Sequence, residues 1–221
     1  GATDLGASTI SGTLGITSGG AVTDSGTLAI TGVTTISASG QDITLDEAAS
    51  TFGTLALTGA NVAVTDAGAT DLGASTVSGT LGITSGGAVT DSGTLAITGA
   101  TTISASGQDI TLDEAASTFG TLAVTGANVA VTDAGATDLG ASTVSGTLGI
   151  TSGGAVTDSG TLAITGATTI SASGQDITLD EAASTFGTLA LTGANVAVTD
   201  AGATDLGAST VSGTLGITSA G

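Results

Sequence analysis

Apolar residues alternate with polar ones along most of the chain: Leu14-x-Ile16, Leu28-x-Ile30, Leu55-x-Leu57, Val62-x-Val64. That period of two is the mark of strands with one buried face. The alternating pieces are short and β-branched, reading LGIT, AVTD, LAIT, TTIS, DITL, STF, LALT, NVAVT, TDL and ST(I/V)S. Nearly all are bounded by Gly, Asn or Asp, which accept the backbone angles of tight corners. No stretch carries a 3.6-residue apolar period with helix caps. The predicted elements are therefore strands throughout.

The strand pieces recur in order with a period of 67 residues, each unit opening at Gly1, Gly68, Gly135 and Gly202. The first two units differ only at Ile10/Val77, Val33/Ala100 and Leu57/Val124, and the second and third only at Val124/Leu191. Residues 1–221 read as one continuous array: repeats 1–67, 68–134 and 135–201, with a partial repeat 202–221. Neither end of the chain shows the atypical unit that caps a repeat array. Caps, any signal peptide and any anchor are accordingly expected to lie outside this sequence.

Hairpins favour Asn-Gly or Asp-Gly turns, and neither dipeptide occurs. Successive pieces resemble one another instead, which suits stacking like on like. A unit divides into Thr13–Gly32, Val33–Gly53 and Thr54–Gly79, pieces of 20, 21 and 26 residues. Laid side by side they align LGIT with TTIS and LALT, AVT with ITL and VAV, and LAI with STF and TDL plus STVS. The predicted fold is an all-β, right-handed parallel β-helix with about three turns per repeat. At about 4.8 Å per turn, roughly ten turns make a rod about 48 Å long. A division into five thinner pieces, giving a flatter two-sheeted solenoid, is the alternative. The inward set is Ile16, Leu28, Ile30, Ile36, Ile43, Leu45, Phe52, Leu55, Leu57, Val62, Val64 and Leu72, with equivalents 67 residues on.

Composition narrows the chemistry. Lys, Arg, His, Cys, Met, Trp, Tyr and Pro are absent, and the net charge is −19. With no cation to neutralise phosphates, nucleic acid is excluded as a partner, and no apolar run approaches a membrane span. Disorder is opposed by the alternation and by a positive mean hydropathy. Acid–base catalysis would have to rest on carboxylates alone, and the many Ser and Thr hydroxyls have no activating base, so no enzyme and no cofactor are expected.

Counting two residues past the last apolar residue of each middle strand reaches Asp24, Glu47 and Asp66, then Asp91, Glu114 and Asp133, then Asp158, Glu181 and Asp200. One carboxylate per turn predicts an acidic line along one corner: a solvated edge that keeps rods apart, or a Ca²⁺ ladder bridging successive turns. Asn61, Asn128 and Asn195 read as corner residues. A repeated face holding ice or a polysaccharide is the other binding alternative.

The run Asn61–Gly120, with its phrases DITLD, ASTVSG, TLGITSGGAVTDSG and VAVTDAGA, resembles the repeat region of filamentous haemagglutinin-like bacterial adhesins, which leave the cell by two-partner secretion. The resemblance implies a secreted β-helical shaft, attachment to host or neighbouring-cell surfaces, and no catalysis. An extracellular place agrees with a chain that offers trypsin no site. Exposed strand edges at the ends of such a rod predict end-to-end or lateral self-association.

Overall fold

The computed structural model describes all 221 residues, and every regular element in it is a strand. All strand pairs are parallel. In the first repeat Thr3–Leu5, Val22–Asp24 and Ile43–Leu45 stack in one sheet. Leu14–Thr17, Thr34–Ser37 and Thr54–Gly59 stack in a second. Ser8–Ile10, Leu28–Ile30 and Thr51–Phe52 form a short third strip. The protein is a parallel β-solenoid whose coils have three sides. The first sheet is followed without a break from Thr3–Leu5 to Leu215–Ser219 through twelve strands, hence eleven coil-to-coil steps. At about 4.8 Å per step the rod is about 53 Å long.

The alignments of LGIT with TTIS and LALT, of AVT with ITL and VAV, and of LAI with STF are the observed registers. The last alignment differs. The segment TDL plus STV of the second repeat, Thr70–Leu72 and Ser75–Val77, stacks on Thr54–Gly59 and not on Thr51–Phe52, with Leu72 opposite Leu55 and Thr76 opposite Thr58. The cause is the strand Val62–Asp66. It follows Thr54–Gly59 after only Ala60 and Asn61, and it occupies the first sheet alone. Each repeat thus winds the three expected three-sided coils and then a half-coil of one strand.

The half-coil has a large consequence. Thr3–Leu5 lies in the first sheet, its equivalent Thr70–Leu72 in the second, and Thr137–Leu139 in the first again. Seven steps of the first sheet separate Thr3–Leu5 from Thr137–Leu139, so 134 residues make seven coils, about 19 residues each. Consecutive repeats are related by a half-turn about the rod axis and a rise of about 17 Å.

Forty-four buried apolar residues form one continuous core along the bore. The inward set of the sequence is buried as expected; Ile16, in the first coil, is partly covered, while its equivalents Ile83 and Ile150 are 2% exposed. Leu206 and Leu215, in the last coil, are 43% exposed, because no further coil of this chain covers them.

Two kinds of position strain against this stack. Thr34, Thr101 and Thr168 point into the bore with 0% exposure and no hydrogen-bond partner for their hydroxyls. Thr101 is sandwiched between Leu81 and Leu122. A buried hydroxyl without a partner costs about 1–3 kcal/mol. At the corners, glycines stack closely: a Cβ on Gly93 would collide with the backbone nitrogen of Ala74 in the coil below.

Replacing Thr101 by Val, which keeps the shape and removes the hydroxyl, is expected to stabilise the rod by about 1 kcal/mol. T34V and T168V should add to it, since successive threonines lie about 17 Å apart along the axis. G93V should destabilise by about 1–3 kcal/mol or more through overpacking. Denaturant midpoints of the four variants check both signs.

Candidate functional site

The nine acidic positions do not form one line. Asp24, Glu47 and Asp66 lie on the first-sheet side, Asp91, Glu114 and Asp133 on the second, and Asp158, Glu181 and Asp200 on the first again. The half-coil moves each group of three to the opposite side. Direction differs as well. In VTD the Val and the Asp both face inward and the Thr faces out, so Asp24, Asp91 and Asp158 are 8% exposed and Asp66, Asp133 and Asp200 only 1%. Only Glu47, Glu114 and Glu181 keep appreciable exposure. The solvated corner of the sequence reading is therefore corrected: six of its nine carboxylates are inside the coil.

Each buried carboxylate is held by donors. The Asp66 Oδ1 accepts from the Gly68 amide at 2.9 Å and its Oδ2 from the Thr70 hydroxyl at 3.2 Å. Thr70 Oγ1 also lies 2.9 Å from Ser85 Oγ, and that hydroxyl meets the carbonyls of Gly68 and Gly87. This network ties the corner of one coil to the next. Asp91 works differently: its Oδ1 accepts from the Asp113 amide at 2.8 Å and its Oδ2 from the Glu114 amide at 3.4 Å, both in the coil above. At Asp24 the corresponding Oδ1 accepts from the Asp46 amide at 2.9 Å, while Oδ2 has no partner.

Burial pushes the carboxyls of Asp66, Asp133, Asp91 and Asp158 above the usual range, and the amide and hydroxyl donors only partly offset it. At Asp91 and Asp158 the neighbouring carboxylates of Asp113 and Glu114, or Asp180 and Glu181, add to the rise. Nowhere do three carboxylates converge on a point that could hold a metal ion.

Sequence reasoning missed a second polar system. Asn61 does more than turn a corner: its amide and its Nδ2 both donate to Asp42 Oδ1, at 3.2 and 2.9 Å, and its Oδ1 accepts from the amide and hydroxyl of Thr80, each at 3.1 Å. Asp42, Asn61 and Thr80 are 19 residues apart, one coil each. That spacing was the available signal. Asp71 likewise joins coils, accepting from Thr54 Oγ1 and Ser92 Oγ at 2.8 Å each.

On the outer surface there is one groove, of about 180 Å³, between the outward rows of the second sheet around Gly149. Thr132, Thr151, Thr169, Ser171 and Asp113 line it together with Gly149 and the apolar Ala130, Val131 and Ile150.

Fold, period and polar corners together define a tandem-repeat parallel β-solenoid. The whole chain matches the model of one family, described as repeats of unknown function (DUF5649), over residues 1–58, 59–125, 126–192 and 193–221, and it belongs to that family. The family's unit boundaries at 58/59, 125/126 and 192/193 fall just before the last residue of the strands Thr54–Gly59, Thr121–Gly126 and Thr188–Gly193, next to the corner that leads into each half-coil. No curated protein and no solved structure matches the chain.

The raised carboxyls give a pH dependence with a definite sign. A carboxyl whose folded pKa is raised contributes stability that is fully present below its unfolded value of 3.8 and lost as pH rises through the folded value. The rod should therefore melt higher near pH 4 than at pH 7, at protein concentrations low enough to keep rods apart. D91N/D158N keeps the acceptor for the Asp113 and Asp180 amides while removing the charge, and should shrink that difference. D66A strands the Gly68 amide, while Thr70 keeps Ser85 as a partner, and should cost about 1–3 kcal/mol. Circular-dichroism melts at the two pH values check all three.

Proposed function

We propose that this chain is a length of shaft, a non-catalytic rod that sets a distance between an anchoring surface and whatever the far end carries. The observation that supports it is the uniformity of the coils. Each repeat spends its residues on the same bore and the same coil-to-coil clamps, and no coil departs from the pattern to build a unique site. Structural arrays of this kind gain stability from neighbour-to-neighbour contacts, so length is extended by adding units.

The finer reading is a segment of a secreted or cell-surface bacterial adhesin or extracellular filament. It is supported by the resemblance of Asn61–Gly120 to haemagglutinin-like repeats, and by a composition without Lys or Arg that denies trypsin-like proteases a site. Its partners would be other rods, end to end or side by side, and a host or neighbouring-cell surface. No cofactor is needed.

Arrays of one to four repeats test the reading. A single repeat is expected to be unfolded or aggregated, three to fold cooperatively, and each added repeat to lengthen the particle in small-angle scattering by about 17 Å. A monomeric single repeat with a sharp melt, or particles that grow in width, would sink the shaft. Calcium bridging along the acidic positions is separated by melting the array in chelator and in millimolar CaCl₂. The shaft reading expects no shift beyond that given by MgCl₂ at the same ionic strength. A calcium-specific rise of several degrees would make the acids of Asp24, Glu47 and Asp66 and their equivalents a metal-dependent staple.

A further inference from the structure

Most glycines of the rod are required. At the corners a Cβ would strike the backbone of the coil below, as at Gly86, Gly93, Gly99 and Gly120. Gly40, Gly107 and Gly174 hold φ near +75°, the left-handed region. The glycine at the centre of each LGIT strand fits neither class. Gly149 has an ordinary extended backbone, and a Cβ there would meet only the Val129 carbonyl oxygen at 3.8 Å; Gly82 meets the Val62 oxygen at the same distance. A side chain would fit without strain. A glycine inside a strand weakens it, and where the fold does not need one it marks a close approach by something else.

That glycine is also the floor of the surface groove. Thr132, Thr151 and Ser171 stand in register along one wall. Thr169 stands directly above Gly149, in the row of outward positions that runs from Ala130. The Asp113 carboxylate lines one edge. We infer that this groove is a binding subsite for an uncharged, hydroxyl-rich chain, a neutral glycan strand.

The chemistry of the lining selects that class. Thr and Ser hydroxyls both donate and accept, and a carboxylate accepts from hydroxyls. A molecule with a net charge of −19 and no cation repels anionic polymers. The strand amides beneath are bonded to neighbouring coils, so a peptide cannot add to them as an extra strand and is left with side-chain contacts alone. The groove is smaller than the roughly 300–1,000 Å³ of pockets that enclose drug-sized ligands, which suits one ring of a longer chain seated over Gly149. Because of the half-turn between repeats, the same residue set around Gly82 (Thr65, Thr84, Thr102 and Ser104) faces the opposite side of the rod. The groove itself opens only around Gly149.

Native affinity electrophoresis of the whole chain in gels containing dextran, mannan, a soluble β-1,3-glucan or a mixed-linkage β-glucan tests this. At least one of these should retard the protein. The double variant G82V/G149V should lose at least tenfold in apparent affinity while melting at the same temperature or higher. No retardation by any of the four would overturn the proposal, as would retardation undiminished in the variant. A lower melting temperature for G82V/G149V would do the same, since the glycine would then have a structural reason. Stronger retention by an immobilised extended peptide than by any glucan or by mannan would assign the groove to protein and overturn the glycan.

Discussion

Everything in this rod follows from coils bonding to the coils above and below them in parallel and in register. Parallel stacking at about 4.8 Å leaves each inward side chain one neighbour beneath and one above. A position in the bore is therefore judged against two residues of the same column. Leu, Ile and Val satisfy that demand by themselves. Polar residues satisfy it only when a corner brings donors, which is how Asp66 is held by Gly68 and Thr70. Thr101, between Leu81 and Leu122, has no such help and remains a local fault in an otherwise matched column.

The half-coil then constrains the sequence a second time. Because each repeat ends half a turn out of phase, the strand LGIT is in the second sheet at Leu14–Thr17, the first at Leu81–Ser85 and the second again at Leu148–Ser152. A segment cannot be specialised for one side of the rod. This accounts for the likeness among LGIT, TTIS, LALT and VAVT, which all serve as the single strand of a narrow side. Segments with a bent side, TDL-STV, VTD-LAI and ITL-STF, come in blocks of three on one side and then the other. The cross-section must accept both arrangements at every level, so the rod approximates a two-fold screw although no single coil is symmetric.

This explains what the sequence could disclose. Strand positions, the inward set and most of the stacking were legible, since they depend on a period of two and on like packing against like. The extra half-coil was hidden in the 26-residue piece Thr54–Gly79, which holds four strands and not three. Only the short Ala60–Asn61 link marks the change of side. The acids were misplaced because two residues past the last apolar residue reads as a corner, whereas it is the next inward position of the strand. Parity alone puts Asp24 on the same face as Val22, and the burial of the carboxylate follows from the strand running two residues further. The clamp from Asp42 through Asn61 to Thr80 was visible only as a spacing of 19, the length of a coil that the pieces of 20, 21 and 26 did not suggest.

Near-identical repeats carry almost no contrast between what is required and what is tolerated, so the contrast must come from physics. Corner glycines, left-handed glycines, inward aliphatics and the donors around Asp66 each answer to a steric or hydrogen-bonding demand of the coil. Remove these and few positions are left without a reason. The unpaired bore threonines are a cost with no visible return, and nothing in the structure explains them. The glycine of LGIT is different: at Gly82 and Gly149 it is half-buried on a regular strand, it gives up strand propensity, and the space it leaves open faces outward beside a row of hydroxyls. In a molecule built so uniformly for stacking, a surface concession that stacking does not ask for is where contact with something outside the rod is to be sought.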